Sequence, residues 1–359
     1  MKILQINTTV NSGSHGRIAD EIGLSLIDAG HESYVAAAFT GRPSRSQVIK
    51  IGCKTDRYLH ALKTRLFDRH GFGSEIPTRA LVEKIKKINP DIIHLHNLHG
   101  YYIHIGVLFQ YLKSAGKPVV WTLHDCWPFT GHCSHFDRVN CFKWQSECNI
   151  CPNKRGYPAS WWLDNSRRNF YEKKRLFSGL NKMIIVTPSL WLADHVIKSF
   201  LNDYEVRIIH NGVDLNVFRP DDASLAVKKY NLSYNYILGV SNVWTESKGL
   251  RDFIQLRKLL NSEIQVVLVG LNEKKIKNLP AGITGIYRTE NVNKLAELYS
   301  GAMVFVNPTY VDNFPAVNIE ALACGTPVVT YKTGGSPEAT DSETGFAVEK
   351  GDVGGLARV

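Results

Sequence analysis

Short apolar runs alternate with amphipathic stretches along this chain, and that alternation constrains the fold more than any other feature. Residues 2–7 read as a strand, 11–16 as a loop, and 18–29 as a helix with Ile18, Ile22, Leu26 and Ala29 on one face, ending at Gly30. Residues 34–39 read as a second strand. A basic helix over 81–88 stops at Asn89-Pro90, followed by a buried strand over 91–96, a helix over 107–115 closed by Gly116, and a strand over 118–124. Strand–helix–strand alternation of this kind predicts a parallel sheet with helices on both faces.

The pattern breaks over 127–164, a stretch rich in Cys, Trp, Asn and Pro, and resumes with strand 183–187, helix 190–200 and strand 206–210. A second alternation then predicts strands over 236–240, 265–270, 283–287, 303–307 and 327–331, with helices over 250–260, 293–300 and 316–324. The fold class is therefore α/β with two Rossmann-like domains. The first is assigned to residues 1–215, with a Cys-rich insertion near 127–164, and the second to residues 216–359. A chain of 359 residues is long enough for two such cores.

Composition narrows function less. The formal net charge of +10 favours anionic partners, whether nucleotides, phospholipids or nucleic acid. No apolar run reaches the ~18 residues of a membrane span. The opening segment is too short and polar for a signal-peptide core, so a cytoplasmic location is expected, and with it reduced thiols or metal ligands rather than disulfides for the seven cysteines.

The strongest chemical signal runs from Asn307 to Val329. A strand ends in a loop carrying Asp312, and a helix is predicted to begin at Phe314-Pro315, where proline suits the first turn because its missing N–H would be unpaired there. The amides of that turn and the positive end of the helix dipole form an anion site. Glu320, about two turns on, can accept hydrogen bonds from ribose hydroxyls. Lys248-Gly249 after the domain's first strand, and the turn Thr333-Gly334-Gly335-Ser336-Pro337-Glu338, add a cation and a Gly-rich loop at the same carboxyl edge, where open α/β sheets bind ligands.

Asp312 and Glu320, eight positions apart, resemble the acid–x7–acid motif of retaining family-4 glycosyltransferases with the two-domain GT-B fold. The run Glu320-Ala321-Leu322-Ala323-Cys324-Gly325-Thr326-Pro327-Val328-Val329 and the Gly334-Gly335-Ser336-Pro337-Glu338 turn are similar to the same family. The resemblance covers the whole chain and implies two domains facing a cleft, with the second one holding the donor. It implies that Glu320 holds the ribose, that Asp312 lies beside the donor sugar, and that Lys248 and the helix-start residues Asn313, Phe314, Pro315 and Ala316 take the diphosphate. The sequence departs from the family in three places. The first acid is Asp rather than Glu, the usual phosphate-binding Arg is replaced by Asn242 as the nearest equivalent, and the chain ends at Val359, where the family begins its closing helices, so the second domain reads as truncated.

In the first domain, Gly13 and Gly16 follow the first strand in a spacing that is not that of dinucleotide binders. The resemblance implies that this loop faces the donor. His124, at the end of strand 118–124, reads either as a hydrogen-bonded structural histidine or as a cleft residue, and the resemblance implies contact with the donor sugar or departing phosphate. His94, His96 and His99 lack a completing carboxylate or Cys nearby and do not read as a metal site; His96 and Asn97 could instead line an acceptor cleft. Cys133, Cys141, Cys148 and Cys151, the last two a C-x2-C knuckle, permit a structural zinc, free thiols or disulfides. Over 57–70, Tyr58, Leu59, Leu62, Leu66 and Phe67 can share a helical face beside Arg57, Lys63, Arg65 and Arg69. This helix either packs into the core or lies on a membrane surface to meet a lipid-linked acceptor.

The expected function is retaining transfer of a hexosyl-type sugar from a nucleotide-diphosphate sugar to a saccharide acceptor, lipid-linked, at the inner face of the plasma membrane. The resemblance is to transferases of bacterial capsule, exopolysaccharide or O-antigen assembly. No cofactor is expected to be required for catalysis. The alternatives are a sugar-nucleotide epimerase of the same fold and, from a different class, a basic nucleic-acid-binding protein with a Cys knuckle, although no recognised nucleic-acid motif supports the latter.

Overall fold

The computed structural model describes residues 1–359. The chain forms two compact units, Met1–Ile209 and His210–Val359. The division precedes residue 216 because the intervening turn belongs to the second unit: the Asn211 side-chain amide donates to the Phe314 carbonyl at 3.3 Å, and the His210 ring stacks on Phe314.

The first unit contains β1 (Lys2–Val10), α1 (Gly13–Asp28), β2 (Glu32–Thr40), β3 (Gln47–Lys50), α2 (Lys54–Phe67), α3 (Glu75–Ile88), β4 (Ile92–Leu95), α4 (Ile105–Ala115), β5 (Val119–Thr122), α5 (Ser166–Phe177), β6 (Met183–Thr187), α6 (Leu190–Ile197) and β7 (Glu205–Ile208). The seven strands form one parallel sheet in the order β3-β2-β1-β4-β5-β6-β7. β1 is buried along most of its length, as expected of a strand covered on both faces. α3 buries Thr78, Leu81, Val82 and Ile85, the one-sided stripe that its periodicity requires.

The second unit contains α7 (Ser224–Lys229), β8 (Tyr236–Val240), α8 (Leu250–Leu259), β9 (Gln265–Val269), α9 (Glu273–Lys277), β10 (Ile283–Ile286), α10 (Val292–Ser300), β11 (Val304–Asn307), α11 (Ala316–Ala323), β12 (Val328–Tyr331), β13 (Gly345–Val348) and α12 (Val353–Arg358). Its parallel sheet runs β10-β9-β8-β11-β12-β13. Both sheets are doubly wound. The order reverses between β1 and β4 in the first and between β8 and β11 in the second, so each has a crevice beyond the strand ends at that point. No helix is long and apolar enough to cross a membrane.

Two local expectations are corrected, and of the two readings of α2 the core-packed one is ruled out. Gly13 and Gly16 lie inside α1 rather than in a loop before it. Gly13 opens the helix with a left-handed φ of +66°, and at Gly16 a Cβ would collide with the Thr9 side chain, so its smallness serves packing of α1 on β1. α11 begins at Ala316, with Pro315 outside it as N-cap. On α2 the apolar residues do not face the core. Tyr58, Leu59, Leu62 and Phe67 are exposed, while His60 and Thr64 are buried. Polar groups can occupy that inner face because they are satisfied there: His60 Nε2 accepts from the Gly71 and Gly73 amides at 3.2 Å, and Thr64 Oγ1 donates to the His60 carbonyl.

Candidate active site

In the second unit the switch point brings together residues far apart in sequence. β8 pairs with β11 through Val304↔Ile237 and Phe305↔Leu238, so the loops leaving both strands emerge side by side. Lys248 comes from the first and Asp312 from the second, and Lys248 Nζ lies 2.7 Å from Asp312 Oδ2. Lys248 also reaches Thr309 Oγ1 at 3.4 Å, and the Tyr310 amide ties the two loops by donating to the Ser247 carbonyl at 2.8 Å. The pair is partly exposed, 33% and 22%, so the ammonium can exchange its partner for an incoming anion.

The amides near the start of α11 divide by role. Asn313 N–H donates to Asp312 Oδ1 at 2.9 Å and fixes that carboxylate, whereas in the first turn of α11 the Asn318 amide donates to the Pro315 carbonyl at 3.1 Å and those of Ala316 and Val317 have no acceptor within the helix. Phe314 is buried against His210. Beneath the loop, the Gly334 turn passes so close that a Cβ at its φ of +54° would collide with the Asp312 carbonyl, while the Gly335 amide donates to the Asn313 carbonyl at 2.8 Å. Glu320 is 2% exposed, and its Oε2 accepts from the Tyr299 hydroxyl at 3.0 Å. Asn242 stands exposed in the loop after β8.

Three polar atoms, in residues that the sequence places in the motif and the Gly-rich turn without giving them a role, are buried here without hydrogen-bond partners: Asn318 Nδ2 on α11, and Thr333 Oγ1 and Ser336 Oγ in the turn packed on it. Each leaves an unmet donor or acceptor that a polar ligand could satisfy. A group that sequence reasoning missed is Asp252, in the first turn of α8. Its Oδ2 accepts from Tyr310 and Tyr331 at 2.9 and 2.7 Å and so braces the β11 loop from below.

In the first unit the corresponding edge carries a histidine network. His96, just past β4, bonds through Nε2 to Gln5 Oε1 at 2.9 Å and through Nδ1 to His124 Nε2 at 3.1 Å, with the two rings stacked. Burial pushes the pKa of His124 down to about 3 and that of His15 to about 4, and holds His96 far below its usual range. These rings are neutral at pH 7, so His124 can exchange hydrogen bonds but holds no proton to give at that pH. His94 turns to Thr122 Oγ1 at 2.8 Å.

His99 and Asp125 form a pair that sequence reasoning also missed. His99 Nε2 lies 2.6 Å from Asp125 Oδ2, and His99 Nδ1 lies 3.1 Å from the Tyr157 hydroxyl. Burial opposes ionisation of Asp125, but the charge and hydrogen bond of His99, with His135 and the Trp127 amide, bring its pKa down to about 2. The signal was present, because the two residues follow β4 and β5, which are neighbours in the sheet. Asn97 is also buried at this edge, and its carbonyl accepts from Thr8 and Tyr102.

All seven cysteines are free thiols. Cys133, Cys141, Cys148 and Cys151 line one cavity of the first unit, although no three His, Cys, Asp or Glu side chains are gathered in the structure as a finished metal centre.

Comparison with known proteins follows the same division. A family model described as Glycosyltransferase Family 4 matches residues 15–217, and one described as Glycosyl transferases group 1 matches residues 234–359. The chain is 25% identical to WcaC of Escherichia coli (strain K12), a protein named for colanic acid biosynthesis as a glycosyl transferase, over 98% of this chain and 88% of that protein. It is 30% identical to the capsular polysaccharide biosynthesis glycosyltransferase CapM of Staphylococcus aureus, over 41% of this chain and 42% of that one. Among solved structures, Anabaena Alr3699/HepE in complex with UDP-glucose aligns over 100% of this chain and 88% of its own, with a TM-score of 0.68 at 16% identity. Sucrose-phosphate synthase from Thermosynechococcus elongatus aligns over 99% and 88%, with a TM-score of 0.73 at 18% identity.

Proposed function

The chain belongs to Glycosyltransferase Family 4 and has the GT-B architecture of two Rossmann-like domains, and from that premise we propose that it moves a hexose from a nucleoside-diphosphate sugar to a saccharide acceptor with retention at the anomeric carbon. The observation that carries this reading is the Lys248–Asp312 pair, 2.7 Å apart at the switch point of the second sheet and beside the start of α11. Lys248 and the first amides of α11 neutralise the diphosphate as it leaves. Glu320 takes the ribose, and Asp312 orients Lys248 and borders the sugar. The departing phosphate oxygen accepts the proton of the incoming hydroxyl on the face it vacates, so catalysis is electrostatic stabilisation of the leaving group plus positioning. Incubating the protein with UDP-, GDP- and ADP-sugars and an oligosaccharide acceptor, and reading the anomeric configuration of the product by NMR, tests the mechanism. An inverted product would refute retention, and thermal shifts absent with every donor would refute the donor site.

The acceptor is proposed to be a lipid-linked saccharide of surface polysaccharide assembly, the process for which WcaC and CapM are named. Supporting this, the apolar side of α2 lies in solvent next to Trp161, Trp162 and Leu163, themselves exposed. The backbone holds them there: the Trp161 amide donates to the Arg65 carbonyl at 2.7 Å, the Leu163 amide to the Leu66 carbonyl at 3.2 Å, and the Arg65 guanidinium lies over the Trp161 ring. With Lys154 and Arg155 nearby in sequence, the patch has the aromatic-plus-basic character that binds anionic bilayers. Flotation with anionic vesicles should be lost in Trp161→Ser/Trp162→Ser. Equal flotation of the variant would detach the patch from membrane binding.

A further inference from the structure

The insertion between β5 and α5 contains little regular structure, only single turns at Trp127–Phe129, Asp137–Val139 and Lys143–Gln145. Such a segment has no regular ladder of backbone hydrogen bonds, and scattered turn bonds and the buried Trp127, Phe129, Phe136 and Trp144 hold it. It nevertheless places Tyr157 on His99 and Trp161 on the end of α2. At its centre is a cavity whose walls include Cys133, Cys141, Cys148, Cys151, His132 and Lys143.

Features other than the thiols point to a ligand in this cavity. The His132 side chain is 0% exposed, and its Nδ1 is held 2.5 Å from Asp68 Oδ1, also 0% exposed. Its other ring nitrogen, Nε2, is buried with no hydrogen-bond partner. An unmet buried polar group costs roughly 1–3 kcal/mol, so a fixed ring edge left without a partner beside four sulfurs implies something that completes it. The Gly131 amide donates to Cys148 Sγ at 3.2 Å, the kind of bond that suits a sulfur carrying negative charge. Lys143 lies in the wall, and behind the lining Thr130 the buried Lys173, whose pKa burial pulls down to about 7, is held by the Trp127 and Thr130 carbonyls at 2.8 and 3.0 Å.

We propose that Cys133, Cys141, Cys148 and Cys151 bind one Zn2+ tetrahedrally, with the Asp68-held His132 presenting its Nε2 edge to a bound sulfur. The four thiols line the cavity without converging on a common point. Each Sγ moves about a single torsion, so rotation of side chains that already share one cavity closes the site without refolding its walls. Soft thiolates select zinc among the abundant divalent ions, and four protein ligands leave no position open for catalysis. Binding exchanges metal for protons: four S–H bonds break, four Zn–S bonds form, and the protons pass to solvent. The product carries two negative charges among Lys143, Lys173 and His132. The ion thus orders the segment that carries Tyr157 and the Trp161–Trp162 patch.

The test uses the full chain purified under reducing conditions. Elemental analysis should find about one zinc per chain, and close to none in Cys148→Ser/Cys151→Ser. His132→Ala should weaken zinc retention against a chelating dye by roughly 10–100-fold. Because the double variant could fail to fold, cobalt exchange into the wild type provides a second readout: tetrahedral d–d bands with intense sulfur-to-cobalt charge transfer are expected. A metal-free chain whose four thiols are alkylated in the native state would overturn the proposal. So would a Cys133–Cys151 disulfide recovered by mass spectrometry, or octahedral cobalt bands.

Discussion

Replacing Lys248 by Met removes one ammonium and keeps most of the side-chain volume, so the loss reads the charge. In the free protein that charge is shared with Asp312 at 2.7 Å, and both groups are partly open to solvent. A fully exposed pair of this kind contributes ~0–1 kcal/mol, which sets the expected loss of fold stability as small. A nucleoside diphosphate offers Lys248 a second, more highly charged partner, and a hydrogen bond to a charged group contributes about 1.5–3 kcal/mol. Affinity for the diphosphate should therefore fall roughly ten- to a hundredfold, while affinity for the bare nucleoside stays within about twofold. The companion Asp312→Asn should leave diphosphate affinity equal or tighter, because it frees the ammonium from its resident acceptor, yet should slow transfer. Calorimetry with nucleoside, monophosphate and diphosphate at two salt concentrations measures both effects, and the salt dependence of diphosphate binding should shrink in Lys248→Met. Equal losses for nucleoside and diphosphate would place Lys248 away from the phosphates and refute the reasoning.

Glu320→Gln should weaken nucleoside and diphosphate alike by about tenfold through the ribose, with the fold retained; Glu320→Ala should also lower stability by ~1–3 kcal/mol because the Tyr299 hydroxyl loses an acceptor. A folded Gln variant with unchanged affinity in calorimetry would remove Glu320 from the site. Gly334→Ala must move the turn away from the Asp312 carbonyl, so both the melting temperature and diphosphate affinity should drop, and a variant unchanged in both would contradict the described packing. Acid should destabilise the first unit early. His15, His94, His60 and His124 have folded pKa values of about 4, 4, 3 and 3 against an unfolded 6.5, so between these limits the unfolded chain binds more protons and stability falls as pH drops below 6.5. Each contributes up to about 1.4 kcal/mol per pH unit, so the urea midpoint should decrease steadily from pH 7 to pH 5, and a flat profile would mean that these rings are solvated.

The central strands were legible because they are buried on both faces and so read as apolar runs: β6 and β8 fall on the residues that the alternation predicts, whereas the more exposed edge strands β3 and β13 carry no comparable run and were not read. Helices whose inner face is polar were not. α5 buries Asn169 and Lys173 beside Phe170, Leu176 and Phe177, and these polar groups interrupt the apolar period that would have revealed it. α2 is the inverse case, with its apolar residues outside and His60 and Thr64 inside, so periodicity locates the helix but leaves open which way its apolar face turns. In the second unit, Lys248, Asp312 and the Gly334 turn were found by their position at strand ends. The unpartnered burial of Asn318, Thr333 and Ser336 was not, because it is a property of three-dimensional packing that no spacing encodes. The His99–Asp125 pair needed only the further step that β4 and β5 are neighbours.

β8 and β11 lie side by side although β9 and β10 intervene in the chain. In kinetic terms, the donor pocket closes only after a long loop of the chain has been traversed and paired, a slow and non-local event. A growing or refolding chain that has formed β8, α8 and β9 already possesses Lys248 but has nothing for it to act with. If the proposed donor site is right, nucleotide would not guide the early folding of this unit; it would capture only molecules in which the β11 loop has arrived, stabilising them by mass action. Ligand added during refolding should leave the early phases unchanged and deepen only the last. The pocket thereby reports on completed molecules alone.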